Sequence, residues 1–315
     1  MRRFASTIIL AGLLLGAAPL RAAPDLAVCL EKNSAPYSFK HGAAAGGFDL
    51  AVAAAVAKRL GRTLTVQWFT IPAQPDTDKP PPSTVEDALL SDGKCQLIGG
   101  FPLSVNALAK PPVATSRLPA FDGARPADRG RRVALGALAA SRAYEFVPFA
   151  VLLGPKAPDR PIHSLADLRG MTIGTEKGTL ADAILMLTDQ RRLVPEIVHV
   201  APGLPSDRGG GLLERLDRGD YQATLVELHR FDVYRKDHPQ TKIRPSGYYH
   251  EIGFNMGFAG LASEAALIGE VDTAIAALLA ANEIAPLAAA QGMTYVPPRQ
   301  PEVRGAITLG ELARD

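Results

Sequence analysis

DLAVCLEKNSAPYSFKHGAAAGGFDLAVAAAVAKRLGRTLTVQWFT, residues 25–70, carries the pattern from which the fold follows. Residues 25–30 are a short apolar run, as expected of a strand buried on both faces. Residues 33–39 form a loop, and Gly46 and Gly47 lead into Phe48-Asp49. Residues 50–60 are rich in helix formers and stop at Gly61, with Asp49 placed to cap that helix. Residues 63–70 alternate in polarity and are rich in β-branched side chains, so a second strand is expected. Strand, helix and strand in this order imply parallel pairing through a right-handed crossover.

The pattern continues outward from this stretch. Residues 72–82 are a proline-rich excursion, read as a surface loop, and residues 83–90 form a short helix capped by Ser83 or Thr84. Gly93-Lys94-Cys95 turns into a third strand at 96–101. Residues 111–132, dense in Pro, Gly, Arg and Asp, are expected to be irregular, whereas 143–153 are apolar and long enough to run from one lobe into another. A second α/β unit follows. Its strands are expected at 171–175, 194–200 and 222–226, and its helices at 180–188, 212–216 and 228–236. The chain then returns through a strand at 254–259, a long Ala/Leu-rich helix at 262–281 and another helix opened by Pro286. From Pro297 onward hydrophobic anchors are few, so the tail is expected along the surface or loose. No internal repeat of fixed period is present.

The N-terminus reads as a secretory signal peptide. Arg2 and Arg3 precede an apolar run over residues 5–20, and Ala22 and Ala23 follow, with cleavage expected after Ala22. An uncleaved anchor is the alternative, but about 16 apolar residues fall short of the ~20 that a spanning helix needs. No cysteine near the cleavage point offers a lipid attachment site. Removing Arg2, Arg3 and Arg21 leaves 31 basic residues against 32 acidic, so the formal charge of +2 belongs to the leader. A near-neutral chain has no electrostatic reason to hold nucleic acid or an anionic membrane. The expected protein is periplasmic and soluble, with about two domains at ~100–200 residues each and no membrane anchor. Its two cysteines, Cys29 and Cys95, favour a disulfide in an oxidising compartment; two buried free thiols are the alternative.

Several enzyme signatures are absent. The sequence has no GxGxxG, no phosphate loop of the GxxxxGK[ST] kind and no GxSxG elbow. His250-Glu251 begins like a zinc-protease motif, but Phe254 stands in place of the second histidine. Neither catalysis nor a cofactor or metal is expected.

Taken in order, several segments resemble the family 3 periplasmic solute-binding proteins of ABC transporters. They are Ala35-Pro36-Tyr37-Ser38-Phe39; Gly47-Phe48-Asp49-Leu50 with a helix ending in Leu60-Gly61; Gly93-Lys94; Ser164-Leu165-Ala166-Asp167-Leu168-Arg169-Gly170 with a strand and Gly178-Thr179 after it; and residues 213–226. The resemblance implies a two-lobed α/β architecture of the type 2 periplasmic-binding-protein kind. Each lobe is a mainly parallel sheet flanked by helices, and two crossover strands, near 149–153 and 253–258, join them. Lobe 1 is then discontinuous (24–150 plus 254–297), lobe 2 is 151–253, and 298–315 is a C-terminal tail. Ligand would sit in the cleft and the lobes would close over it. Strand-end loops facing a crevice are also where open α/β sheets place ligands.

Departures from the family pattern bear on the ligand. Amino-acid binders of this family carry an arginine that clamps the ligand carboxylate; Ala109 stands at the matching place and Lys110 is only its neighbour. Glu227 matches the acidic residue that holds the ligand ammonium, with a solvated helix cap as the alternative. A carboxylate without the arginine implies a cationic, polyol or otherwise non-amino-acid solute. Further candidates are Tyr37 in the loop after the first strand, and Phe101 and Ser104 at the end of the third. Thr175, Gly178 and Thr179 lie where a strand meets a helix N-terminus, whose free N–H groups favour anions. For Gly178-Thr179 an ordinary cap, and for Phe101 simple packing, are the alternatives.

The cysteine pair, with Gln96-Leu97-Ile98-Gly99-Gly100-Phe101-Pro102 after it, is also similar to the J-type accessory proteins of quinoprotein methanol dehydrogenases. Partners implied by the resemblances are therefore a small-molecule solute with an ABC permease or, alternatively, a periplasmic quinoprotein dehydrogenase, with the chain a monomer. A dehydratase on the same fold is disfavoured by the missing arginine.

Overall fold

The computed structural model describes residues 25–71, 85–109, 111, 113–201 and 211–314. The expected leader at 1–22, the proline-rich loop and Lys110 lie outside them. Nine strands share one hydrogen-bonded sheet: β1 (Leu26–Glu31), β2 (Leu64–Thr70), β3 (Leu97–Pro102), β4 (Ala120–Phe121), β5 (Leu138–Leu153), β6 (Ile173–Glu176), β7 (Ile197–Val200), β8 (Ala223–Glu227) and β9 (Arg244–Leu261). Their order across the sheet is β7-β6-β8-β5-β9-β3-β1-β2-β4. The helices are α1 (Phe48–Arg59), α2 (Val85–Ser91), α3 (Val105–Leu108), α4 (Leu180–Leu187), α5 (Leu212–Arg218), α6 (Leu228–Asp237), α7 (Ala265–Ala280), α8 (Ile284–Ala290) and α9 (Leu309–Leu312). None is long and apolar enough to cross a membrane singly among the described residues.

Two parallel sets flank a central antiparallel pair. On one side β1 pairs in parallel with β2 and β3, Leu26 opposite Leu64 and Val28 opposite Leu97. On the other, β6 pairs in parallel with β7 and β8, Ile173 standing between Ile197 and Ala223. Between them β5 and β9, 16 and 18 residues long, run antiparallel from Leu138↔Leu261 to Leu153↔Arg244. These two strands traverse both lobes and extend well beyond the short segments expected for the crossovers.

Alternation along β1 shows why each lobe needs helices on both faces. Leu26, Val28 and Leu30 point into a core closed by Phe48, Val52 and Val56 of α1 and by Ile268, Val271 and Ile275 of α7. Cys29 points the other way, into a second core with Leu89, Cys95, Ile98 and Phe101. There Cys29 of β1 and Cys95, two residues before the neighbouring strand β3, form a disulfide. In the other lobe Val151, Ile173, Ile184 and Leu225 fill one core, and Leu152, Leu216, Tyr221 and Phe231 the opposite one.

Three local expectations are corrected. Asp49 does not cap α1: the N-cap is Gly47, and the buried Asp49 side chain accepts a hydrogen bond from the Tyr144 hydroxyl at 2.6 Å. The 111–132 region is only partly irregular, since Thr115–Arg117 pairs with Arg132–Ala134 and β4 adds to the edge of β2. Of the two readings of the tail, along the surface or loose, only the second is corrected: it lies along the surface and is docked there. The Asn255 amide donates to the carbonyls of Arg299 and Glu302 at 2.7 and 2.9 Å, and the Arg304 N–H donates to the Leu103 carbonyl at 2.9 Å. Leu312 then enters the core of the second lobe, where its carbonyl accepts from the Thr188 hydroxyl.

Two stability measurements follow. Leu312→Ala is expected to cost about 2 kcal/mol, the lower end for a buried leucine, as its site is at the rim; an unchanged urea midpoint would show the tail undocked. Replacing both cysteines by alanine removes a crosslink between residues 66 apart in sequence. It is expected to cost about 2–4 kcal/mol, and equal midpoints for the two proteins would reject a structural role.

Candidate functional site

The carboxyl ends of β1, β2 and β3 open onto a cavity of about 350 Å³. Glu31 ends β1, Phe69 lies at the end of β2, and Gly99, Gly100 and Pro102 end β3. The opposite wall is Glu227 at the end of β8, and the floor is Val147, Phe254 and Met256 of the crossover strands. The cavity therefore sits where the parallel sets meet the central pair, with walls from both lobes.

Backbone geometry brings the loop before α1 into this space. Gly47 adopts φ +115°, and a Cβ there would collide with the carbonyl of Tyr37. This close approach lets the N–H groups of Phe48 and Asp49 donate to the carbonyls of Pro36 and Tyr37 at 3.0 and 2.8 Å. Gly100, at φ +67°, leaves room for the Asp49 carboxylate, which a Cβ would strike. The Tyr144 hydroxyl completes this corner: it donates to Asp49 and accepts from the Gly100 N–H at 2.8 Å.

Four carboxyl groups line the cavity: Glu31, Asp49, Glu86 and Glu227. No lysine or arginine does so among the described residues. The nearby Lys32 and Lys40 are both paired with Asp122, and Arg230 is held in a two-pronged pair with Glu176 at 2.7 and 2.8 Å. Burial without a counter-charge pushes these acids up. Asp49 rises to about 7 through desolvation, against which its Tyr144 hydrogen bond works. Glu86 also rises to about 7, through desolvation and then repulsion from Asp87 and Glu31. Desolvation raises Glu31 and Glu227 as well, the latter moderated by Arg230.

A second chamber of about 440 Å³ adjoins the first, and Tyr37 and Glu227 line both. Between the lobes the Tyr37 hydroxyl meets Nδ1 of His229, from α6, at 2.6 Å. Asp232, also on α6, accepts from the N–H and hydroxyl of Thr294 at 2.7 and 2.9 Å. The lobes thus touch directly beside the cavity.

The structure brings Tyr37 and Glu227 together and leaves the other sequence candidates elsewhere. Glu227 occupies the N-cap position of α6 without making a side-chain capping bond, so its carboxylate is open to the cleft. Phe101 is buried in the disulfide-side core. The Ser104 hydroxyl accepts from the Ala107 N–H at 3.1 Å, capping α3. Thr175 is fully buried, and Thr179 caps α4 by accepting from the Asp182 N–H at 3.2 Å. Gly178 donates its N–H to the Asp182 carboxylate at 2.9 Å, so the anion at that helix end is the protein's own. Thr179 lines a small cavity of about 80 Å³ beside Glu176 and Arg230.

Glu31, Asp49, Glu86 and His229 were not found from the sequence. A signal existed for Glu31, an acid ending an apolar strand of a parallel sheet, where ligands are placed. Asp49 resembled a cap, and nothing local marks Glu86 or His229.

No family model and no curated protein matches this sequence. Solved structures do match. The L-cystine solute receptor of Neisseria gonorrhoeae, in its unliganded open conformation, is 16% identical, with 88% of this chain and 96% of that chain covered and a TM-score of 0.60. An ancestral cationic amino-acid solute-binding protein is 16% identical over 85% of this chain and 95% of its own, at a TM-score of 0.56. A histidine kinase sensor domain with similarity to periplasmic binding proteins is 15% identical over 87% and 98%, at 0.51. At such identities the likeness is one of architecture: the chain has the two-lobed α/β fold of periplasmic solute-binding proteins.

Proposed function

We propose that this chain is an exported solute-binding protein that captures a small organic cation between its lobes and delivers it to an ABC permease. The observation that carries the reading is the ring of four carboxyl groups, Glu31, Asp49, Glu86 and Glu227, around a cavity without a lysine or arginine among its described lining residues. A ligand ammonium entering this space supplies the missing counter-charge and restores the acids to their ionised forms. A ligand α-carboxylate finds no guanidinium there and is repelled. Among the described residues no group of three or more His, Cys, Asp and Glu side chains is arranged to hold a metal ion, so the cation is taken to be organic. Phe69, Phe254 and Met256 give the alkyl part of such a ligand an apolar surface. Closure about β5 and β9 then shuts the cavity, as in other hinge-bending binders.

A thermal-shift and calorimetric panel of primary amines, diamines, quaternary ammonium ions, α-amino acids, sugars and alcohols tests this. A ligand at 100 times its Kd adds about 2.7 kcal/mol of stability, and only amines and ammonium ions are expected to do so. Glu86→Gln and Glu227→Gln are each expected to weaken that binding about tenfold or more, the scale of one lost charge-assisted contact. Equal binding of a sugar or of a zwitterionic amino acid, undiminished in both variants, would overturn the reading.

A further inference from the structure

Beside the cavity-floor residue Val147, on crossover strand β5, Glu145 is fully buried, and neither of its carboxyl oxygens has a hydrogen-bond partner among the described residues. Nε2 of His229 lies 3.8 Å from Glu145 Oε2. His229 belongs to α6 of the other lobe, but its ring is gripped by lobe 1. The Tyr37 hydroxyl meets Nδ1, and Nε2 lies 3.3 Å from the Thr294 carbonyl. A carbonyl accepts only, so Nε2 carries the proton and Nδ1 is left to accept from Tyr37. The imidazole in this state is neutral and fully satisfied.

An ionised carboxylate at Glu145 would be buried with no donor at all, which is prohibitive beside a neutral ring. Parting of the lobes withdraws His229 from Tyr37, Thr294 and Glu145 together and admits water to all of them. We propose that Glu145 and His229 form a proton-linked latch: as the lobes meet, the imidazolium gives up its proton and the Glu145 carboxylate ends with one, His229-H⁺ plus Glu145-COO⁻ becoming His229 plus Glu145-COOH. This inference rests on the lobe closure proposed above.

The surrounding charges favour the neutral pair. Asp49 on α1 faces Glu145 and opposes its ionisation, and Tyr295 lies on the same side. Around the ring, Asp232 on α6 favours the imidazolium, but desolvation outweighs it and lowers His229. Tyr37 is held protonated by its own burial, with Glu145, Asp49, Glu227 and Asp232 adding to that. Arg230, next in sequence to His229, is committed to Glu176.

Proton bookkeeping then gives a pH profile of unusual form. The latch requires that opening return both groups to their ordinary values, 4.5 and 6.5. Between these the proton merely changes owner on closing, and the closed fraction is flat. Above 6.5 the open pair holds no proton and the closed pair holds one. Closing therefore takes up a proton, and the closed-to-open ratio falls by up to tenfold per pH unit.

Distances between nitroxides at Lys58→Cys on α1 and Lys236→Cys on α6, both exposed and in different lobes, report the ratio in the ligand-free protein from pH 4.5 to 8.5. The parent should show the plateau and then the fall. Glu145→Gln should abolish the fall and instead lose closed population below pH 6.5, where only the imidazole titrates. His229→Gln should keep the fall but begin it near pH 4.5. Asp49 and Glu86 titrate in all three proteins, so the comparison isolates the pair. Two distance populations whose ratio follows the same pH curve in parent and Glu145→Gln would overturn the latch and leave closure standing. A single unchanging distance in every protein would remove closure and the latch with it.

Discussion

The antiparallel ladder between β5 and β9 is the constraint on which everything else in this protein depends. Among the described residues it is the pairing that runs through both lobes, from Leu138↔Leu261 to Leu153↔Arg244, with four register shifts along its length. The parallel sets are hung on its two edges, β3 on β9 and β8 on β5, with Met256 opposite Pro102 and Phe149 opposite Glu227. Register shifts between Pro148 and Ala150 interrupt the ladder near its middle, where the sheet passes from one lobe to the other. Because the strands of both sets end beside this ladder, their terminal residues meet there, and the cavity is a direct product of topology.

What meets there is a set of acids. Several carboxylates elsewhere have cationic partners: Asp122 takes two lysines, Asp189 takes Arg169, and Glu176 takes Arg230. Against that background, the lack of a lysine or arginine among the described residues lining the cavity costs stability in the empty protein. Such a cost is tolerated where a ligand later supplies the compensating charge, and perturbed acids of this sort gather at functional sites. Nothing in the structural neighbours supports the alternative partnership with a quinoprotein dehydrogenase.

Much of the fold was readable in the residues because strand and helix periods are local. The apolar run LAVCL, the alternation of TLTVQWFT and the Ala/Leu-rich stretch before Pro286 each name their element without outside help. The disulfide followed from compartment and strand adjacency. The sequence leaves open whether the tail lies along the surface or loose, because its anchors are not local: Asn255 and Thr188 hold it by its backbone carbonyls, which no side-chain pattern around Pro297 reveals. The site was half legible. Tyr37 and Glu227 sit at strand-end positions that sequence logic singles out. Asp49 reads locally as a cap, because a capping aspartate and a buried one look alike in sequence, and its partner Tyr144 is 95 positions away. Thr175, Gly178 and Thr179 looked like an anion site, until Asp182 proved to fill it.

The claim at the centre of this account is that acids converge in the cleft with no lysine or arginine among its described lining residues to balance them. Carboxyl carbon chemical shifts of the ligand-free protein, followed through a pH titration with selective labelling of aspartate and glutamate, measure this directly. Asp49 and Glu86 should titrate at about 7, far above the exposed acids of the same molecule. Midpoints for both near 4, the ordinary range for exposed carboxyl groups, would mean that the cleft is already neutralised, and the account would fail.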